Sequence, residues 1–179
     1  KCHPKTVIEL VGVWDTVRAL GLRVPLLWRW SPEPPQFHNH DLGHHIAHGF
    51  QALALDETRN AYAPVLWECR EGWQGRLEQV WFRGSHGDVG GQLKGVNAAR
   101  PLSNIPLVWM LDRAAMCDLP LPVDWRTRFV QDVNAPSVGT TRGLAKLFLS
   151  RNRRIPLSDP SDSYNITAQP PDLMRAAAV

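Results

Sequence analysis

The segment Gly84-Ser85-His86-Gly87-Asp88-Val89-Gly90-Gly91 gathers an acid–base side chain, a carboxylate and four glycines into eight residues. Histidine is the side chain whose ordinary pKa lies nearest neutrality, so it can take up and return a proton. The glycines allow positive φ and sharp turns that other residues resist. The segment follows a strand-like run, Leu77–Phe82, which sets His86 four residues past a strand end. A second candidate, Asp15, closes another apolar run, Val7–Trp14. Asp15 and His86 together have the chemistry of the acid–base half of a hydrolytic triad. The carboxylate would orient the imidazole and stabilise its protonated form; the imidazole would activate a serine hydroxyl and later protonate the leaving group. On composition alone, Asp15 reads equally well as an Asx-turn or cap closing the strand.

Asp88 is open to several roles: triad acid, outer partner of the histidine, metal ligand or turn-former, with the structural role ranked first. The nucleophile is not found. No G-x-S-x-G elbow occurs in the 179 residues, and Ser85 lies next to His86 in a G-S-H-G sequence that is not that motif. The order Asp then His, 71 residues apart, fits the Ser, Asp, His order of α/β-hydrolases. A third cluster, His38 to His48, holds five of the seven histidines. On a helix, His44 and His48 would share a face at zinc-binding spacing, although the Glu of H-E-x-x-H is absent. A polar, partly exposed helix start is the plainer reading.

The elements that must position these groups are read from pattern. Val7–Trp14 is a near-continuous apolar run, as in a strand buried on both faces of a parallel sheet. Residues 23–37, with four prolines and two tryptophans, read as a loop or lid. Asp41 is a plausible N-cap for a helix to about Leu55, with Ile46, Phe50, Leu53 and Ala54 on its core face and residues 56–60 closing it. Ser103-Asn104 before Ile105-Pro106 predicts a helix to about Cys117, with Leu107, Val108, Leu111 and Ala115 facing inward. Thr141–Leu149 predicts one more short helix. Buried strands alternating with helices argue for an α/β fold with a mostly parallel sheet, in which functional groups collect beyond the carboxyl ends of strands. Residues 1–149 form the expected catalytic part, and residues 150–179, rich in Ser, Asp, Pro and Arg, a loosely packed cover or tail.

Composition narrows the function classes. Hydrophobic residues make up 44% of the chain, enough for a sizeable core, and the net charge of +3 is only mildly basic. The one local cluster, Arg151, Arg153 and Arg154, reads as a solvated face rather than a nucleic-acid or lipid site. Three cysteines without a C-x-x-C pair argue against a disulfide framework and a cysteine zinc site. There is no transmembrane run and no signal peptide pattern. The start at Lys1-Cys2-His3-Pro4 and the lack of an elbow lead us to expect an internal fragment, its nucleophile upstream.

Four segments together resemble the α/β-hydrolases related to type VI secretion phospholipase effectors. They are Gly12-Val13-Trp14-Asp15-Thr16-Val17; Ala52-Leu53-Ala54-Leu55-Asp56-Glu57 with Arg59, Pro64 and Trp67; Val80 through Gly91; and Leu102 through Met110. The resemblance spans roughly residues 7–118. It implies a Ser-Asp-His hydrolase acting on ester bonds, phospholipids foremost, with Asp15 and His86 at motif positions, Asp88 in the same motif and no cofactor. It differs at Gln92-Leu93, where the family commonly has a further glycine and an aromatic, and at Gln51, where it often has histidine. The expected partners are a lipid or other ester substrate, the amino-terminal part of the same domain, and an immunity or secretion partner, with no nucleic acid. The rival readings are a metal-dependent hydrolase built on the histidine cluster with Asp88, and a non-catalytic interaction module.

Overall fold

A computed structural model of the chain describes residues 6–17, 42–69, 71–140, 153 and 159–165. Four strands form one sheet: β1 (Ile8–Trp14), β2 (Ile46–Ala54), β3 (Arg76–Phe82) and β4 (Asp162–Tyr164). They lie in the order β1-β2-β3-β4 and every pairing is parallel. The register sets Trp14 beside Ala52 and Ala54 beside Phe82. The carboxyl ends of β1, β2 and β3 therefore meet at one edge. The ladder continues past them through Asp15 N–H to Ala52 C=O (2.7 Å), Leu55 N–H to Phe82 C=O (2.9 Å) and Asp56 N–H to Gly84 C=O (3.0 Å). The fold is α/β, with helices α1 (His86–Val89) and α2 (Arg100–Met116) flanking the parallel sheet.

Side chains alternate across the sheet. On one face Phe50, Ala52, Ala54, Val80 and Phe82 pack against Leu102, Ile105, Trp109 and Met110 of α2. The Trp109 ring meets those of Phe50 and Phe82 edge-on, at 6.4 and 5.4 Å between centroids. Gly12 lets the helix come close: a Cβ there would lie 2.7 Å from the Met110 sulfur. The other face carries two buried glutamines, adjacent in register, Gln51 and Gln79. They hold the covering chain: Gln51 donates to Val65 C=O (3.0 Å), and Gln79 accepts from Trp67 N–H (2.8 Å) and donates to Trp67 C=O (2.9 Å).

The helix expected from Asp41 to Leu55 is instead β2. Ile46, Phe50, Leu53 and Ala54 fit a helical stripe, but residues 49–54 are buried without a break. A central strand covered on both faces loses the alternation that would distinguish it from a buried helix. The proposed His44/His48 helix face disappears with it. His44 and His45 lie in the turn before β2, and His48 lies within the strand, 3.7 Å from Glu9 of β1. Helix α2 starts at Arg100 rather than Ser103, with Pro101 in its first turn and Pro106 inside it. Asn104 is not a cap; its amide donates to Val130 C=O (2.8 Å). Of the four side chains expected to face inward, Val108 is buried and Leu107, Leu111 and Ala115 are half-buried. The helix is apolar around much of its girth, so contact with the sheet selects the face. Within the segment read as a loose cover, residues 162–164 form β4 and pair with β3 from Gln79 to Trp81. The loop or lid at 23–37, the helix at 141–149, His38, His40, Arg151 and Arg154 lie outside the described residues.

Candidate active site

The site is built at the carboxyl edge of the sheet, where the backbone of β1 turns at Asp15 with φ of 46°. That left-handed conformation is uncommon outside glycine, although aspartate tolerates it better than most. Asp15 is fully buried, and each carboxylate oxygen has two donors. Oδ1 accepts from the Ala54 N–H at the end of β2 (2.9 Å) and from Arg153 (2.6 Å). Oδ2 accepts from His86 Nδ1 (2.8 Å) and from the second terminal nitrogen of Arg153 (2.9 Å). Burial opposes ionisation of Asp15. The hydrogen bonds from His86 and Arg153, the Arg153 charge and the Ala54 N–H outweigh it, holding the carboxyl below the usual carboxylate range. An ionised carboxylate only accepts hydrogen bonds, so His86 Nδ1 is the donor and the neutral ring carries its lone pair on Nε2.

His86 opens the single turn of α1, with Ser85 as its N-cap. Gly84 enters the turn at φ of 116°, where a Cβ would come within 2.7 Å of the Asp88 Cβ. This position therefore requires glycine on two counts. The turn is fastened from beneath by Asp88. Its Oδ2 accepts from Ser85 N–H (2.8 Å), Ser85 Oγ (2.7 Å) and Ser137 Oγ, and its Oδ1 accepts from Val138 N–H (2.8 Å). None of these bonds reaches His86. Ser85 is buried and its hydroxyl is committed to Asp88.

The chain after β2 completes the surround. Buried Glu57 takes the Arg59 guanidinium in a two-pronged pair (both 2.7 Å) and accepts from the His86 backbone N–H (3.2 Å). Burial again opposes ionisation, and the bonds from Arg59 and His86 hold the Glu57 carboxyl below its ordinary value. Arg59 stacks over the Tyr62 ring at 3.8 Å, and Tyr62 lies 4.9 Å from the His86 ring. His86 is thus oriented at Nδ1, fixed at its backbone and walled on one side, while 23% of its side chain stays exposed. This arrangement can transfer a proton at Nε2.

Two contributors are missing from the sequence reading. Tyr62 has no motif around it. Arg153, read as part of a solvated face, is 6% exposed and bonded to Asp15 across 138 residues of chain. Only the unusual local density of arginines marks that region. Among the described residues, no group of three or more His, Cys, Asp or Glu side chains could hold a metal ion. No helix among them is long and apolar enough to cross a membrane.

Comparison with curated proteins and with solved structures gives no match. The model of one family, described as the catalytic domain of Tle1-like phospholipase effectors of type VI secretion systems, matches residues 1–113, a span that contains β1 to β3, the Gly84–Gly91 turn, Asp15 and His86. The chain belongs to that family of phospholipase effector catalytic domains.

Proposed function

We propose that the protein is a serine hydrolase that cleaves acyl esters of phospholipids, with His86 as general base and acid and Asp15 as the carboxylate that orients it. The supporting observation is the 2.8 Å contact between His86 Nδ1 and a buried, ionised Asp15, groups that follow β1 and β3 on either side of β2. In this mechanism a serine hydroxyl attacks the acyl carbonyl while its proton passes to His86 Nε2. The imidazolium gains its stabilisation from Asp15 and then protonates the leaving alcohol. Water repeats the cycle on the acyl-enzyme and regenerates the serine. Among the described residues no serine hydroxyl is bonded to His86. The nucleophile in this reading comes from an elbow that precedes β1 in the full-length protein. Asp88 serves the turn rather than the proton transfer, since its four bonds go to Ser85, Ser137 and Val138.

The test is phospholipid vesicle hydrolysis by the full-length protein and its His86→Ala variant, with folding checked by melting temperature. Loss of a triad member costs several orders of magnitude, so turnover should drop by about 10⁴-fold or more in a folded protein. A folded variant that keeps turnover within a few-fold of the parent removes His86 from the chemistry.

A further inference from the structure

We propose that Arg153 is a positioning residue of the same site: its guanidinium holds the Asp15 carboxylate aimed at His86, and ties in the wall beside the imidazole. The inference rests on the Asp15–His86 reading above. It goes beyond the matched family region, because Arg153 lies outside residues 1–113.

The geometry is that of a clamp on three elements. The two terminal nitrogens of Arg153 bond to both oxygens of Asp15, at 2.6 and 2.9 Å. One of them also bonds the Ala54 C=O at the end of β2 (2.6 Å), and the other bonds the Tyr62 C=O. Such two-pronged, charge-assisted contacts fix orientation as well as charge. Asp15 sits in a protein interior that on its own favours the neutral acid. A neutral Asp15 would no longer stabilise the imidazolium, and a rotated one would release Nδ1. The Tyr62 carbonyl bond holds the residue whose ring lies beside His86. Among the described residues, the charged and titratable groups around Asp15 are His86 from α1, Arg153, and, across Tyr62, the Glu57–Arg59 pair. Glu57 and Arg59 are bonded to each other, and among the described lysines and arginines it is Arg153 that bonds the Asp15 carboxylate.

The experiment compares the full-length protein with Arg153→Lys, Arg153→Ala, Asp15→Asn and His86→Ala, using 4-methylumbelliferyl butyrate to read kcat and KM over pH. Misplacing a catalytic group by about 1 Å costs about 10²-fold, so Arg153→Ala should lose kcat on that order with KM nearly unchanged. Its activity should fall away at higher pH on the acid side, since removing an adjacent cation raises a carboxylate by about 1–3 pH units. Millimolar methylguanidinium should restore part of the Arg153→Ala rate and return the acid limb toward that of the parent. Arg153→Lys keeps the charge without the two-pronged geometry, and should fold with an intermediate kcat. It decides the matter if the alanine variant does not fold. A wild-type kcat and pH profile in Arg153→Lys, or in a folded Arg153→Ala, overturns the clamp. If His86→Ala and Asp15→Asn also keep their activity, the underlying dyad has failed instead. If they lose it while the Arg153 variants do not, only the clamp has failed.

Discussion

At the scale of single residues, the site consists of buried charges that each have a partner. Asp15 serves His86 and Arg153 at once, which changes what its removal should do. A carboxamide at position 15 removes the negative charge and leaves Arg153 buried without a counter-ion, a loss that costs about 3–5 kcal/mol in comparable buried pairs. Asp15→Asn is therefore expected to lose both turnover and stability. The double variant Asp15→Asn with Arg153→Met removes both charges and should recover most of the lost melting temperature while staying inactive. Thermal denaturation and ester turnover on the four corners of the cycle measure this. A double variant no more stable than Asp15→Asn would mean that Arg153 has other anchors strong enough to hold it.

At the scale of elements, the turn from Gly84 to Gly91 is a prefabricated piece. Gly84 supplies the backbone conformation, Ser85 the cap and Asp88 the acceptor for four donors. Through Ser137 and Val138, Asp88 also binds the chain that follows α2, and Arg83 holds the same stretch through the Val133 and Ala135 carbonyls. Replacing Asp88 by alanine strands buried donors, each worth about 1–3 kcal/mol when unsatisfied. The expected result is a large drop in melting temperature. Residual turnover should keep the pH profile of the parent, because no proton moves through Asp88 in this reading. A stable Asp88→Ala protein with a shifted acid limb would instead make Asp88 part of the acid–base machinery.

At the scale of the whole molecule, these pairs link the fold to pH. Asp15 and Glu57 lie below their ordinary values in the folded chain. Asp159 lies at about 2, where burial is outweighed by hydrogen bonds from Ser161 and Cys69. A carboxylate depressed on folding binds fewer protons folded than unfolded. Its stabilisation is complete above the unfolded value, about 3.9–4.3, and is lost as pH falls through the folded one. The melting temperature should therefore vary little through these groups from pH 7 to about 5, then fall steeply toward pH 2. Unfolding scans across that range test it, and a melting temperature that holds or rises below pH 4 contradicts it. Contacts of the same kind tie late residues to early ones: Asp159 holds Cys69, in the chain between β2 and β3, and Arg153 bonds Asp15 just after β1 and Ala54 at the end of β2.

The sequence alone determined the features that local chemistry encodes. Val7–Trp14 and Leu77–Phe82 carry enough β-branched and aromatic residues to read as strands, and both are strands within a residue of those bounds. The glycine spacing marks a turn that only glycine can make at position 84, and Asp15 and His86 stand out because each follows a strand. What local pattern cannot encode was left to the tertiary structure. β2 is covered on both faces, so its burial has no period, and its neighbours decide that it is a strand. The inward face of α2 was set by the aromatic contacts of Trp109 with Phe50 and Phe82. The 2.8 Å approach of Asp15 to His86 depends on the register of three strands, and the choice of Arg153 as counter-ion depends on a contact spanning 138 residues. An ion pair formed across such a distance leaves no trace in spacing: Asp15 is marked by its strand, but Arg153 alone looks like an ordinary surface charge.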